Sequence, residues 1–339
     1  MQLPLSNATL AVTTDTAVAR LAAVEPVVFE VAPGITAIDT FYGGRERYTA
    51  AYLLTAQEPA IVETGPSTSC EPVTAGLDRL GIGPGDLAHI VVTHIHLDHA
   101  GGVGEIARRF PRATVWVHER GAPHLADPTK LVASATMIYG PERMASLFGP
   151  VPPVPSERIR PLIDGEVISL GDRSLIPATT PGHAKHQVAL VDSGTGAVFT
   201  GDALGIHPPD LPALRPATPP PDYDLELASQ SIERIRALAG ELLLFSHFGP
   251  VREVDRVCDL AIARFRGWTE AVRVAMDRGA DLDEVVEVLE REAGKDVETG
   301  AEAALDLARF ETLSSTRMNA LGIMRYWTKR REREAAGQV

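Results

Sequence analysis

Cysteine is scarce. Cys70 and Cys258 are the only two in 339 residues. They cannot build a disulfide framework, and so far apart they form no metal-binding or redox motif; a reducing cytoplasm is the expected compartment. Long apolar runs are also missing. None approaches the roughly 20 residues that cross a bilayer, so no membrane association is expected. The opening stretch MQLPLSNATLAVTTDTAVARLAAVEP has no basic segment, and Asp15 interrupts its mildly apolar part, which argues against a secretory leader. Positive charge is in short supply: 32 Lys and Arg face 45 Asp and Glu, a formal net charge of −13. Binding a polyanion needs a basic footprint, so a nucleic-acid partner is not expected. The dense basic run TKRRER near the C-terminus reads as a solvated helix end.

What is present points to an α/β architecture. Residues 1–25 read as an N-terminal arm of uncertain structure. GITAIDTF, YTAAYLLTA and PAIVETG have the composition of strands, with Gly43-Gly44 as a hairpin turn. EPVTAGLDRLGI has helical spacing ending at Gly81, and AHIVVTH is a near-continuous β-branched run that reads as a buried strand. A helix over GGVGEIARRF and a strand over ATVWVHE follow. Residues from about 120 to 160 look less regular and proline-rich. Strands resume with EVISL, RSLIPATT, HQVALVD and GAVFTGD. The segment HPPDLPALRPATPPPDYD cannot join a central strand; it is either a wall or lid of a site or a surface excursion. DLELASQSIERIRALAG is an amphipathic helix and LLLFSH a buried strand. Beyond Pro250, Val257, Ala261, Phe265, Trp268 and Val272 recur at helical spacing, and Leu321, Met324 and Trp327 form a further apolar stripe. The expected organisation is an arm (1–25), a metal-binding α/β domain (26–250) and a C-terminal helical extension (251–339) packed on it.

Three of the ten histidines and an aspartate fall within THIHLDHAGG, residues 93–102. Burying so many polar groups is costly unless something binds them, and imidazole and carboxylate together are ligands for zinc and related metals. His94 and His96 are two apart, so on an extended segment they point the same way. Asp98 and His99 follow as the chain turns, which lets one loop serve two adjacent metal positions. Three further candidates each follow a predicted strand: His183 in TTPGH, Asp202 in FTGD and His247 in FSH. Ligands delivered from strand ends converge at one sheet edge. Five histidines and two carboxylates supply about three donors for each of two metals, with Asp202 spare to bridge.

HIHLDH, PGH, GD and SH in this order resemble the metallo-β-lactamase fold superfamily across roughly residues 28–250. The resemblance implies a four-layer αββα sandwich with a binuclear metal site at one edge. It implies that His94, His96 and His183 hold the first metal, that Asp98, His99 and His247 hold the second, and that Asp202 bridges them. The C-terminal helices lie outside the shared core. Asp202 points away from true β-lactamases, which generally lack the bridging aspartate. His96 points away from flavodiiron reductases, and the acidic chain away from the RNA-processing branch. The ligand set looks most like glyoxalase II-type thioesterases and lactonases, although the cationic residues that hold glutathione in glyoxalase II find no match. Glu63, in IVETG, stands where the family usually has aspartate beside the histidine motif.

The expected activity is hydrolysis of an ester, lactone or thioester of a small-molecule substrate by a metal-bridging hydroxide, with two divalent ions. Zinc is the default, and iron or manganese fits the same donors. Asp98 would orient the hydroxide as well as hold metal, and Asp202 would join the two metals. The alternatives are a mononuclear iron persulfide dioxygenase, which FTGDAL also resembles, and a metal-bound protein that binds without turnover. A homo-oligomer stays open. His89, His118, His124 and His207 read as surface or structural singletons, and His186 as a loop brace. Tyr139 and Tyr223, in the irregular segments, are candidates for oxyanion stabilisation but are not assigned as catalytic.

Overall fold

The computed structural model describes residues 25–208, 210–211, 213–295 and 301–337, without the side chains of 301–305. The arm read at 1–25 lies outside the described residues except for Glu25. Two sheets form the centre. The first has strand order β1 to β7: β1 (Val28–Ala32), β2 (Ile35–Asp39), β3 (Ala50–Leu54), β4 (Ala60–Val62), β5 (His89–Val91), β6 (Thr114–His118) and β7 (Ile159–Leu162). Its first four strands are antiparallel neighbours, and β4 to β7 run parallel. The second has order β13-β12-β11-β10-β9-β8: β8 (Ile168–Ser169), β9 (Ser174–Thr179), β10 (Val188–Asp192), β11 (Val198–Gly201), β12 (Leu243–Phe245) and β13 (Gly249–Val251).

The strands are apolar on both faces because both faces are covered. Along β3, Ala50, Tyr52 and Leu54 pack with Val188 and Phe199 of the second sheet. The alternate residues Ala51 and Leu53 face Val73 and Leu77 on α1 (Cys70–Arg79) and Val103 and Ile106 on α3 (Val103–Arg109), the short α2 (Leu97–Ala100) preceding α3. This period of two turns one strand's side chains into two cores. Next come α4 (Ala122–Ala126), α5 (Thr129–Tyr139) and α6 (Pro141–Arg143), then a π-turn over Met144–Phe148. The outer face of the second sheet is covered by α7 (Leu225–Leu238) and α8 (Val254–Asp277), through Ile232, Ile235, Val257, Ala261 and Phe265. The layers are therefore helix, sheet, sheet, helix. After α8 come α9 (Leu282–Gly294), α10 (Ala301–Leu313) and α11 (Thr316–Ala335). Among the described residues no helix is long and apolar enough to cross a membrane.

Four expectations need correction. Residues 120–160 are largely helical; α5 fully buries only Ala135 and exposes Met137 and Ile138, so little of it packs into a core. Gly43-Gly44 is not a tight hairpin turn but part of a short 3₁₀ turn in the longer link from β2 to β3. Strands β7 and β13 escaped notice because each contains a proline, Pro161 or Pro250, which an edge strand tolerates. On α11 the buried face is Asn319, Ala320, Ile323 and Tyr326, whereas Leu321 is exposed and Met324 and Trp327 are half-buried.

Candidate metal centre

Each of the seven candidate side chains sits just beyond a strand of the two sheets. From β5 the chain runs through Thr93 to His94 and His96, and α2 then carries Asp98 and His99. His183 follows β9, Asp202 follows β11 and His247 follows β12. Gly201 ends β11 at φ +51°, and a Cβ there would lie 2.7 Å from the Thr93 hydroxyl. Only glycine lets these two strand ends approach so closely. His94, His99, His183, Asp202 and His247 are buried; His96 and Asp98 are partly exposed.

The hydrogen bonds fix where the protons are. The Thr93 hydroxyl lies 2.5 Å from Glu63 Oε1 and donates to that carboxylate. It therefore accepts from His94 Nδ1 at 3.0 Å, which leaves His94 Nε2 bare. His183 Nδ1 is 2.9 Å from the Ala217 carbonyl, which can only accept, so His183 Nε2 is bare as well. Both bare nitrogens point at His96 Nδ1, at 3.1 and 2.9 Å. Burial, with His183 beside it, pushes the His96 pKa down to about 3, so its ring is neutral at pH 7. One nitrogen with at most one proton cannot satisfy two lone pairs. A cation at the centre of the three satisfies all of them.

A second group adjoins the first. His247 Nε2 lies 3.6 Å from Asp98 and 3.3 Å from Asp202; His99 Nε2 lies 3.6 Å from Asp98 and 3.4 Å from Asp202. Both ring nitrogens of His99 and of His247, and Asp202 Oδ1, are buried without a hydrogen-bond partner. Each such orphan costs about 1–3 kcal/mol. Burial disfavours a charged His99, but Asp202, Asp98 and Glu63 together outweigh it and hold its pKa well above the ordinary value. Burial likewise works against an ionised Asp202, yet His247 and His99 hold its pKa well below the usual carboxylate range. Three carboxylates among these rings call for positive charge at their centre, which a divalent ion supplies without protons. Three overlapping sets have ligand atoms within 4.8 Å of one another and could each hold a metal: His94, His96 and His183; His94, His99 and Asp202; Asp98, His99 and His247.

Glu63 braces both groups. It adopts φ +67°, a conformation costly for a residue with a side chain. Its Oε1 accepts from Thr93 and, at 3.1 Å, from Ser246, and it lies 3.6 Å from His99 Nδ1. One carboxylate thus bears on His94 through Thr93, on His99 directly and on the residue preceding His247.

A family model described as the metallo-beta-lactamase superfamily matches residues 44–247, more than half of the chain. The chain belongs to this superfamily. An acyl-coenzyme A thioesterase of Gallus gallus is 36% identical over 129 residues, covering 37% of this chain and 44% of that protein. A hydroxyacylglutathione hydrolase of Vibrio cholerae is 29% identical over 145 residues, covering 43% and 42%. The chain spans about half the length of the curated relatives it matches. A solved superfamily protein from Sulfolobus tokodaii superposes with TM-score 0.62 at 21% identity, over 86% of this chain and 98% of its own, which bears on the fold.

In this superfamily member the cluster opens into a cavity of about 350 Å³. His96, Asp98, His183 and Asp202 form part of its floor. Its walls come from α5 and the π-turn, from the prolines at 219–221, and from the α10–α11 junction at 311–319. The proline-rich segment is thus a wall of the cavity. Sequence reasoning missed the α10–α11 wall, which lies outside the histidine motifs, and also Tyr42, which lines the cavity beside Tyr139. Burial, and after it Asp98, raises the pKa of both phenols well above the ordinary value.

Tyr223 is a different case. It donates to Thr269 Oγ1 at 2.6 Å, because that hydroxyl itself donates to the Phe265 carbonyl, and it packs against Phe265 in the helical core. It is no oxyanion candidate. His124, read as a surface or structural singleton, lines the cavity, as does His186, whose ring lies 5.7 Å from that of His96. His89, by contrast, accepts from Trp116 and pairs with Glu58, and His207 is bound to the Ala213 carbonyl.

Proposed function

We infer that this protein is a metal-dependent hydrolase that cleaves the carbonyl–oxygen or carbonyl–sulfur bond of an ester, lactone or thioester. The observation that carries the reading is the convergence of seven donors holding more bare lone pairs than protons. His94, His96 and His183 would hold one divalent ion, Asp98, His99 and His247 a second, and Asp202 would join them, with zinc the default for this donor set. Ions bound there would lower the pKa of a water and polarise the carbonyl oxygen.

The chain's own residues supply the rest. Asp98 is the partly exposed carboxylate at the cavity floor, placed to accept a proton from the attacking water and hold its lone pair toward the substrate. The water oxygen bonds to the carbonyl carbon, the bond to the alkoxide or thiolate breaks, and the leaving group takes up the proton. Thr93, Glu63 and the Ala217 carbonyl keep His94 and His183 in one tautomer throughout. Names among the relatives, acyl-coenzyme A thioesterase and hydroxyacylglutathione hydrolase, favour the thioester arm.

Turnover on a panel of aryl esters, lactones and acyl thioesters, with elemental analysis of the same preparation, tests the reading. Hydrolysis with close to two metals per chain supports it. One iron per chain with oxygen uptake on a persulfide supports the dioxygenase instead. Bound metal without turnover on either panel supports a binding role.

A further inference from the structure

The cavity wall carries uncompensated positive charge in a chain of formal net charge −13. Outside the metal cluster its lining includes two carboxylates, and both are engaged. Asp222 pairs with Lys185 at 3.0 Å. Glu311 pairs with Arg215 at 3.4 Å and accepts from the Thr316 hydroxyl at 2.7 Å. Two cations also line it, Lys130 on α5 and Arg143 on α6, and among the described residues neither has an ion-pair partner. Asp127 senses Lys130 but uses its Oδ1 to accept from the Thr129 amide and hydroxyl. Arg143 acts on Tyr42 and Tyr139, the same two phenols that feel Asp98. Both tyrosines thus line the same cavity as Asp98 and Arg143 and feel the charge of each. The surface between the cations is apolar, formed by Leu131, Ala135, Ile138 and Phe148.

We propose that Lys130 and Arg143, one near each end of α5, make this wall an anion-binding surface, and that the substrate is an amphiphile: an apolar segment lying along α5 between them, with a carboxylate or phosphate held at one of the two cations. The proposal rests on the hydrolase reading only in placing the scissile carbonyl over Asp98 and His96. Two exposed cations next to an apolar wall favour a negatively charged ligand over a neutral one of equal shape. Lys130 and Arg143 are exposed and hold no other element in place, so their replacement leaves the fold intact.

The test is binding rather than turnover. Metal-loaded full-length protein is titrated by calorimetry with octanoate, octyl phosphate and the neutral isostere octanamide, alongside the Lys130→Ala/Arg143→Ala variant. At least one anion is expected to bind about tenfold tighter than octanamide to the wild type, and the variant to lose that margin with octanamide unchanged. Preference for octanoate or for octyl phosphate identifies the anion as carboxylate or phosphate. Equal binding of all three probes overturns the proposal, and so does a margin that survives in the variant, which would place the anion on the metals. The charge-dependent margin standing while no ester or thioester is hydrolysed would sink the hydrolase reading and leave the subsite intact.

Discussion

Asn319 holds Thr218 at three points. Its Oδ1 accepts from the Thr218 amide at 2.7 Å and from the Thr218 hydroxyl at 2.8 Å, and its carbonyl lies 3.3 Å from that hydroxyl. All these atoms are buried. Thr218 follows Ala217, whose carbonyl fixes the proton of His183. A residue of the C-terminal helices therefore pins the loop whose carbonyl fixes the proton of a candidate metal ligand more than a hundred positions earlier. The proposed division of the chain near residue 250 separates two parts that share one site.

Replacing Asn319 with leucine leaves the Thr218 amide buried and unpaired, and leaves its hydroxyl only the longer contact to the backbone carbonyl of residue 319. The expected loss is about 2–4 kcal/mol of unfolding free energy, together with weaker metal retention at the His94–His96–His183 group. Asn319→Asp keeps both acceptors and should restore much of each. Urea unfolding and competitive chelation by a colorimetric chelator measure the two effects separately. Full metal retention in the leucine variant would show that the clamp does not reach His183.

Gly322 makes the same contact from the next turn of α11. A Cβ at this position would lie 1.8 Å from the Thr218 carbonyl oxygen, so even alanine must push the loop away from the helix. Gly322→Ala should cost about 1–3 kcal/mol despite alanine's better helix propensity. Thermal unfolding checks this. Gly267 is the control: a methyl group there would meet no atom within 4 Å, and the same change should be neutral or stabilising.

The donors themselves separate into groups by their contacts. Asp202 Oδ1 lies within 3.4 Å of both His99 and His247, while Oδ2 is 3.6 Å from His183. Asp202→Ala should therefore deplete both metals, whereas His247→Ala should deplete mainly one. Mass spectrometry under native conditions, with zinc as the added metal, counts the ions per chain. Full occupancy in Asp202→Ala would refute its bridging assignment.

The histidine cluster was legible because β5, β11 and β12 are buried on both faces and read as apolar runs with clear ends, while β9 alternates buried and partly exposed residues up to the turn before His183. HIHLDH, PGH, GD and SH each begin where such a strand stops. The cavity walls were not legible for the opposite reason. On α5 the apolar residues Leu131, Ala135 and Ile138 line the cavity, only Ala135 is fully buried, and Met137 and Ile138 are exposed, so the pattern there marks no packed core. The packed face of α11 uses Asn319, Ala320 and Gly322, small or polar residues suited to close approach to the 216–221 loop, and the reading that favoured the larger Leu321, Met324 and Trp327 fell one position off. Tyr42 lies in a turn with no periodicity. Hydrophobic pattern finds cores; it does not find surfaces that fit each other by hydrogen bonding.

Asp39 makes stability depend on pH away from the metal cluster. Burial raises its pKa from 3.8 to about 6, more than the amides of Phe41 and Arg47, which donate to it at 2.9 and 2.7 Å, can lower it. The folded chain therefore keeps this proton when the unfolded chain has already lost it. Between about pH 4 and pH 6 the native state binds more protons, so unfolding free energy falls as pH rises through this window and levels off above it. The full shift is worth about 2–3 kcal/mol. Asp39→Asn has no such proton, and subtracting its urea-unfolding profile from that of the wild type cancels the contributions of other titrating groups. The difference should decline from pH 4 to pH 6 and then stay flat; a difference that is level across this range would mean that Asp39 titrates alike in the folded and unfolded chains.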